Sequence, residues 1–138
     1  MTEAINQFVS ELMEAWNAHD IERVTEFYAQ DYEETDVGQA APQRGRDGLR
    51  RKMVYYLHAF PDLRVTLDEC VIEDSRVVLF WTWSGTHRGA FMRIPPTRRE
   101  VTVRGTSLLT MEEGKIRRGL RIWDVAGLLR AIGLLPEL

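Results

Sequence analysis

Apolar residues follow two regimes along the chain. From residue 4 to residue 16, Ile5, Phe8, Val9, Leu12, Met13 and Trp16 recur at spacings of three and four, the stripe of a helix that buries one face. Asn17-Ala18-His19-Asp20 interrupts this stripe, and Asp20 is placed to cap a second helix over residues 21–28. Residues 31–37 predict a short strand, 38–45 a Gly/Pro loop and 47–59 a third helix. Phe60-Pro61-Asp62 stops that helix, because proline lacks the amide hydrogen and crowds the preceding turn. Beyond Pro61 the period falls to two. Residues 63–72 alternate and are rich in β-formers, Glu73-Asp74-Ser75 marks a turn, and 76–88 is a second long strand. Its segment 77–83 is apolar on both faces, which places it inside a sheet. A Pro-containing loop over 89–98 leads to strands at 100–111 and 115–124, joined by a Glu112-Glu113-Gly114 hairpin turn. Residues 125–132 form a closing helix that ends at Gly133. Helices first and an antiparallel meander afterwards define an α+β domain, with helices laid across a curled sheet that encloses a pocket.

Composition narrows the chemistry. At 138 residues with 44% hydrophobic and 28% charged side chains, the chain predicts one globular domain, residues 1–138, with a real core. Cys70 is the only cysteine and His19, His58 and His87 the only histidines, so no disulfide and no metal centre is expected. The N-terminal stretch carries Glu3, Glu11 and Glu14 without an apolar core, and the longest apolar run is Val77 to Trp81. Neither a secretion signal nor a membrane span is expected, and the chain is placed in the cytoplasm. Sixteen of the 18 basic residues are arginines. An anion-binding surface is one reading of that bias, and arginine decorating a solvated face is the other. With a net charge of −3 and no recognised motif beside Arg98-Arg99 or Arg117-Arg118, a nucleic-acid partner is rejected.

A set of motifs runs along the chain: Trp16-Asn17-Ala18-His19-Asp20, Phe60-Pro61-Asp62-Leu63 and Gly85-Thr86-His87-Arg88-Gly89-Ala90-Phe91, then Ile94-Pro95-Pro96-Thr97, Glu113-Gly114-Lys115-Ile116, and Trp123-Asp124 before Leu128-Leu129. Taken in order, they resemble the SnoaL-like polyketide cyclases, also called ester cyclases, of the nuclear transport factor 2-like superfamily. The chain departs from that family at Arg93 and Arg98, where glycine is usual, and at Ala90, often a glutamate. The resemblance implies a cone-shaped α+β barrel with a deep apolar cavity, commonly a homodimer through the sheet. It also implies cofactor-free, intramolecular aldol ring closure on a hydrophobic polyketide ester, with an aspartate as general acid/base. Asp124 matches that aspartate by position.

The residues bear on this directly. Period-two alternation puts Ile116, Leu120, Ile122 and Asp124 on one face of the last strand, and that largely apolar face is expected to line the cavity. A carboxylate ending an apolar row suits proton abstraction beside a carbonyl. Asp124 also directly precedes the last helix and can cap it, and the two roles are compatible. His87, beside Gly85 and Gly89, can polarise a carbonyl or relay protons, or else serve as a local hydrogen-bonding residue. Trp16, Tyr32, Phe60, Trp83, Phe91 and Met92, near strand ends and loops, are the expected contacts of a hydrophobic small molecule, although each also suits a core. Two alternatives remain open: a related cavity enzyme (isomerase, epoxide hydrolase or hydroxylase), or a non-catalytic carrier of a hydrophobic molecule. An epoxide hydrolase would require two carboxylates flanking an arginine inside the cavity.

Overall fold

A computed structural model describes residues 2–137. Helix α1 (Thr2–Asn17) buries Val9, Leu12 and Ala15, the stripe expected from its spacing. Asp20 caps α2 (Ile21–Thr25), its carboxylate accepting from the Arg23 amide at 3.2 Å. This helix ends earlier than residue 28 because the following aromatics are drawn into the sheet. The Phe27 carbonyl accepts from the Ile116 amide, and Tyr28 pairs with Ile116 at the start of β1 (Tyr28–Asp36). The expected loop over 38–45 ends in a two-residue strand, β2 (Gln43–Arg44), paired with Glu34 and Glu33. So short a strand leaves no readable alternation.

Helix α3 (Gly45–Ala59) stops at Phe60, before Pro61. Strands β3 (Arg64–Glu73), β4 (Arg76–Thr86), β5 (Glu100–Glu112) and β6 (Lys115–Trp123) follow, and α4 (Val125–Ala131) closes the chain. Glu113 (φ 52) and Gly114 (φ 76) turn β5 into β6 with the two left-handed residues that a two-residue hairpin demands.

The sheet order is β2-β1-β6-β5-β4-β3, with β1 parallel to β6 and every other pairing antiparallel. The expected α+β fold, helices packed on a mostly antiparallel sheet, is present; among the described residues β2 and β3 are edges that do not pair with each other, so the sheet is open rather than closed into a barrel. Helix α1 packs against β3, α3 against β1 and α4 against β5. Leu12, Leu49 and Met53 from the helices meet Val77, Leu79 and Ile116 from the strands in one core. Each such buried side chain contributes roughly 1.5–3 kcal/mol relative to exposure. The site lies where that core gives way to polar groups, between α1, α3 and the inner face of β1 and β6.

Candidate functional site

Strand β6 presents its key side chain by means of a bulge. Thr110 pairs with Arg118 and Met111 with Ile116, which leaves Arg117 as an extra residue. One extra residue reverses the side-chain phase of the rest of a strand. Ile116 is buried, yet beyond the bulge it is Arg121 and Trp123 that turn inward while Ile122 stands 47% exposed. The inward face expected for Leu120, Ile122 and Asp124 is therefore corrected. Asp124 is exposed, and its carboxylate accepts from the Gly127 amide at 2.8 Å as the cap of α4.

Arg121, only 7% exposed, is the centre of one polar group. Its Nη1 donates to Asp36 Oδ2 at 3.2 Å and to the Tyr56 hydroxyl at 3.0 Å. The guanidinium carbon lies 5.1–5.2 Å from the ring centroids of Trp81, Tyr56 and Trp123, an aromatic cage that favours a cation. The Trp123 indole N–H donates to the other side of the Asp36 carboxylate at 3.0 Å. Burial opposes the arginine's charge, but the Tyr56 hydroxyl and the Glu34 and Asp36 carboxylates outweigh it and raise its pKa. Arginine decorating a solvated face does not describe this residue.

A second group lies beside it. Tyr32, Glu34 and Asp36 share one face of β1 by alternation, and Lys52 and Tyr56 share one face of α3 at i, i+4. Lys52 Nζ donates to both Glu34 oxygens, at 3.1 and 3.3 Å, and the Tyr32 hydroxyl donates to Oε2. Burial alone would raise the Glu34 pKa. The Lys52 and Arg121 charges and the donated hydrogen bonds outweigh it and hold the carboxyl below its usual range. Lys52 is pulled below the ordinary lysine value, because burial outweighs the support it draws from Glu34. Burial also pushes the Tyr56 phenol up, so it stays protonated. Since Tyr56 accepts from Arg121, its own hydrogen is free to point at a ligand.

These groups stand at a junction. Inside is a chamber of about 90 Å³ with apolar walls that include Leu12, Trp16, Tyr28, Trp83 and Leu109. Outside is a cleft of about 840 Å³ between β1, α3, the loop that follows β1 and the loop that follows β4. Glu34, Lys52, Tyr56 and Arg121 line both. Of the contacts expected from sequence, Trp16, Tyr32 and Trp83 line the chamber and Met92 lines the cleft. Phe60 and Phe91 line neither; they are buried core, 5.3 Å apart between ring centroids. His87 is fully buried against Phe60 at 5.6 Å and also lines neither space. Its Nδ1 accepts from the Thr97 amide at 3.2 Å, and burial lowers its pKa, so it stays neutral as a latch for the loop after β4.

Sequence reasoning missed Glu34, Lys52, Tyr56 and Arg121. The signals were the alternation of Tyr32, Glu34 and Asp36, and a lysine one turn before a tyrosine on α3. Among the described residues no cluster of three acidic, histidine or cysteine groups is arranged to hold a metal ion, and no helix is long and apolar enough to cross a membrane.

The sequence matches the SnoaL-like polyketide cyclase family over residues 6–132, and the chain belongs to that family. Among curated proteins, none matches it in sequence. Among solved structures, AclR from Streptomyces galilaeus, a candidate hydroxylase, is 27% identical with a TM-score of 0.87, over 100% of this chain and 85% of that one. TsrD from Streptomyces laurentii is 25% identical with a TM-score of 0.88, over 98% of both chains. IdmH from Streptomyces antibioticus, a candidate polyketide cyclase, is 26% identical with a TM-score of 0.80, over 93% of this chain and 97% of that one.

Proposed function

We propose that the protein is a cofactor-independent acid/base enzyme that closes a ring on a hydrophobic polyketide-type ester, with its reaction centre at the junction of chamber and cleft. The observation that carries this reading is the ionised, buried Glu34 carboxylate facing the same apolar space as a cation-backed phenol, Tyr56 on Arg121. Glu34 takes a proton from the carbon between two carbonyls. The enolate oxygen is met by the Tyr56 O–H, polarised by Arg121. The enolate carbon then forms the new C–C bond at a second carbonyl, and the resulting alkoxide takes the proton back from Glu34. A carboxylate held below its usual range is a modest base, so the reading requires an acidified carbon acid such as a β-dicarbonyl. Asp124, outside both spaces, has no part in these steps.

The Glu34→Gln variant tests the reading. Its kcat on a ring-closing substrate is expected to fall by roughly 10²–10⁴-fold, while Asp124→Asn turns over near the parent rate. Near-parent turnover of Glu34→Gln overturns the assignment.

One observation favours a second reading. Asp36 pairs with Arg121 at 3.2 Å, and Glu34 acts on it electrostatically from the same junction. Two carboxylates about a buried arginine are what epoxide opening by water demands. Incorporation of ¹⁸O from labelled water into a diol, abolished by Asp36→Asn, would favour that chemistry over ring closure.

The outward sheet face supports a homodimer. Val78, Leu108 and Leu120 form one cross-strand row, and Phe80, Thr106 and Ile122 form the next. Phe80 and Ile122 are 41% and 47% exposed. Such a row, laid on its two-fold copy, is self-complementary.

A further inference from the structure

The outer cleft carries cations that the proposed chemistry leaves unused. Arg51 on α3 and Arg93 in the loop after β4 both line it, and among the described residues neither guanidinium joins an ion pair or a hydrogen bond. With Lys52 and Arg121, four cationic side chains face two carboxylates, Glu34 and Asp36, and each carboxylate is already paired within the wall. The cleft is thus positive in a chain whose net charge is −3.

The backbone that presents Arg93 is unusual. Phe91 and Ile94 exchange backbone hydrogen bonds at 3.0 and 2.8 Å, closing a two-residue turn around Met92 and Arg93. Both central residues are left-handed, at φ 52 and φ 64. A turn of this kind is ordinarily built from Asn-Gly, which adopts it with little strain. Here it carries two long side chains, and both reach the cleft. The Met92 amide is tied to the Tyr55 hydroxyl of α3, which holds the turn in place. Strained backbone that persists at a cleft mouth, presenting one apolar and one cationic side chain, marks a contact surface.

We propose that the cleft is an oxyanion subsite, in which Arg51 and Arg93 bind a carboxylate or phosphate at the far end of the substrate while Met92 covers its apolar body. The inference deepens the reading above: the substrate class becomes an anionic, largely apolar carbonyl compound. Arginine forks suit either oxyanion, so the test carries both.

Isothermal titration at low salt with 2-naphthoate, 2-naphthyl phosphate and methyl 2-naphthoate is the measurement. At least one anion is expected to bind about tenfold tighter than the neutral ester, and the tighter anion identifies the group. The Arg51→Gln/Arg93→Gln double variant should bring that ratio near unity. Anions that bind no better than the ester, failure of all three probes to bind, or a preference that survives in the double variant overturns the proposal. Arg93→Gly fits the turn's backbone, so it should melt at or above the parent temperature while losing part of the anion preference. A lower melting temperature with the preference intact would give Arg93 to the turn alone and sink the subsite. No anion preference in the parent alongside an inactive Glu34→Gln removes the subsite only, whereas a parent preference that the double variant loses, alongside an active Glu34→Gln, removes the chemistry only.

Discussion

Breaking the Glu34–Lys52 pair costs more than the pair contributes. Their side chains are 8% and 16% exposed, so removing one charge strands the other in a poorly solvated site. Glu34→Gln is expected to destabilise the fold by about 3–5 kcal/mol, and Glu34→Gln with Lys52→Met to recover most of that loss. Urea denaturation of the two variants checks this, and equal losses would remove the coupling. His87 gives a separate signature. Burial depresses its folded pKa below 6.5, so the folded state resists protonation while the unfolded state does not. Its contribution is complete above pH 6.5 and is lost as the pH falls from there toward the folded pKa. Glu34, likewise depressed, loses its contribution below about pH 4.5. Denaturation midpoints followed from pH 7.5 to 4 should fall in the first window for the parent and less for His87→Gln. None of this was legible residue by residue. An arginine or lysine reads as solvated until a strand partner, 85 residues away for Arg121 and Asp36, brings a carboxylate to it.

At the scale of elements, most of the fold was visible in the period of the apolar residues, and the failures share one cause. Alternation along β6 assumed an unbroken strand, and the extra residue at Arg117 reversed everything after it. A bulge is a property of a pair of strands, so a single strand cannot announce it. The same limit hid β2, whose two residues exist as a strand only through pairing with Glu33 and Glu34. Asp124, at the end of the misread strand, was legible as a cap because capping is local. Replacing it with alanine leaves the Gly127 amide without its side-chain acceptor and should cost about 1 kcal/mol of stability. Thermal melts measure that loss, and ring-closing activity at a temperature well below the melt should be unchanged.

For the whole molecule, the sheet divides two kinds of surface. Its inner side meets the helices and the polar junction, and its outer side carries two apolar rows. If those rows form the homodimer contact, Phe80→Asp with Ile122→Asp gives a monomer by light scattering while the chamber, on the other face, keeps its activity. A dimer that survives both substitutions places the contact elsewhere. The parallel pairing of β1 with β6 has a consequence in time as well as in space. It joins a strand from the first quarter of the chain to one near its end, and the Asp36–Arg121 contact spans 85 residues. On a ribosome, Asp36 emerges long before the guanidinium it pairs with, whereas Glu34 is followed by its partner Lys52 within 18 residues. Asp36 has neither Arg121 nor Trp123 to accept from until β6 arrives, which makes closure of the reaction centre a late event in folding. A nascent chain stopped before Arg121 therefore carries Glu34, Lys52 and Tyr56 but lacks the guanidinium that backs the phenol.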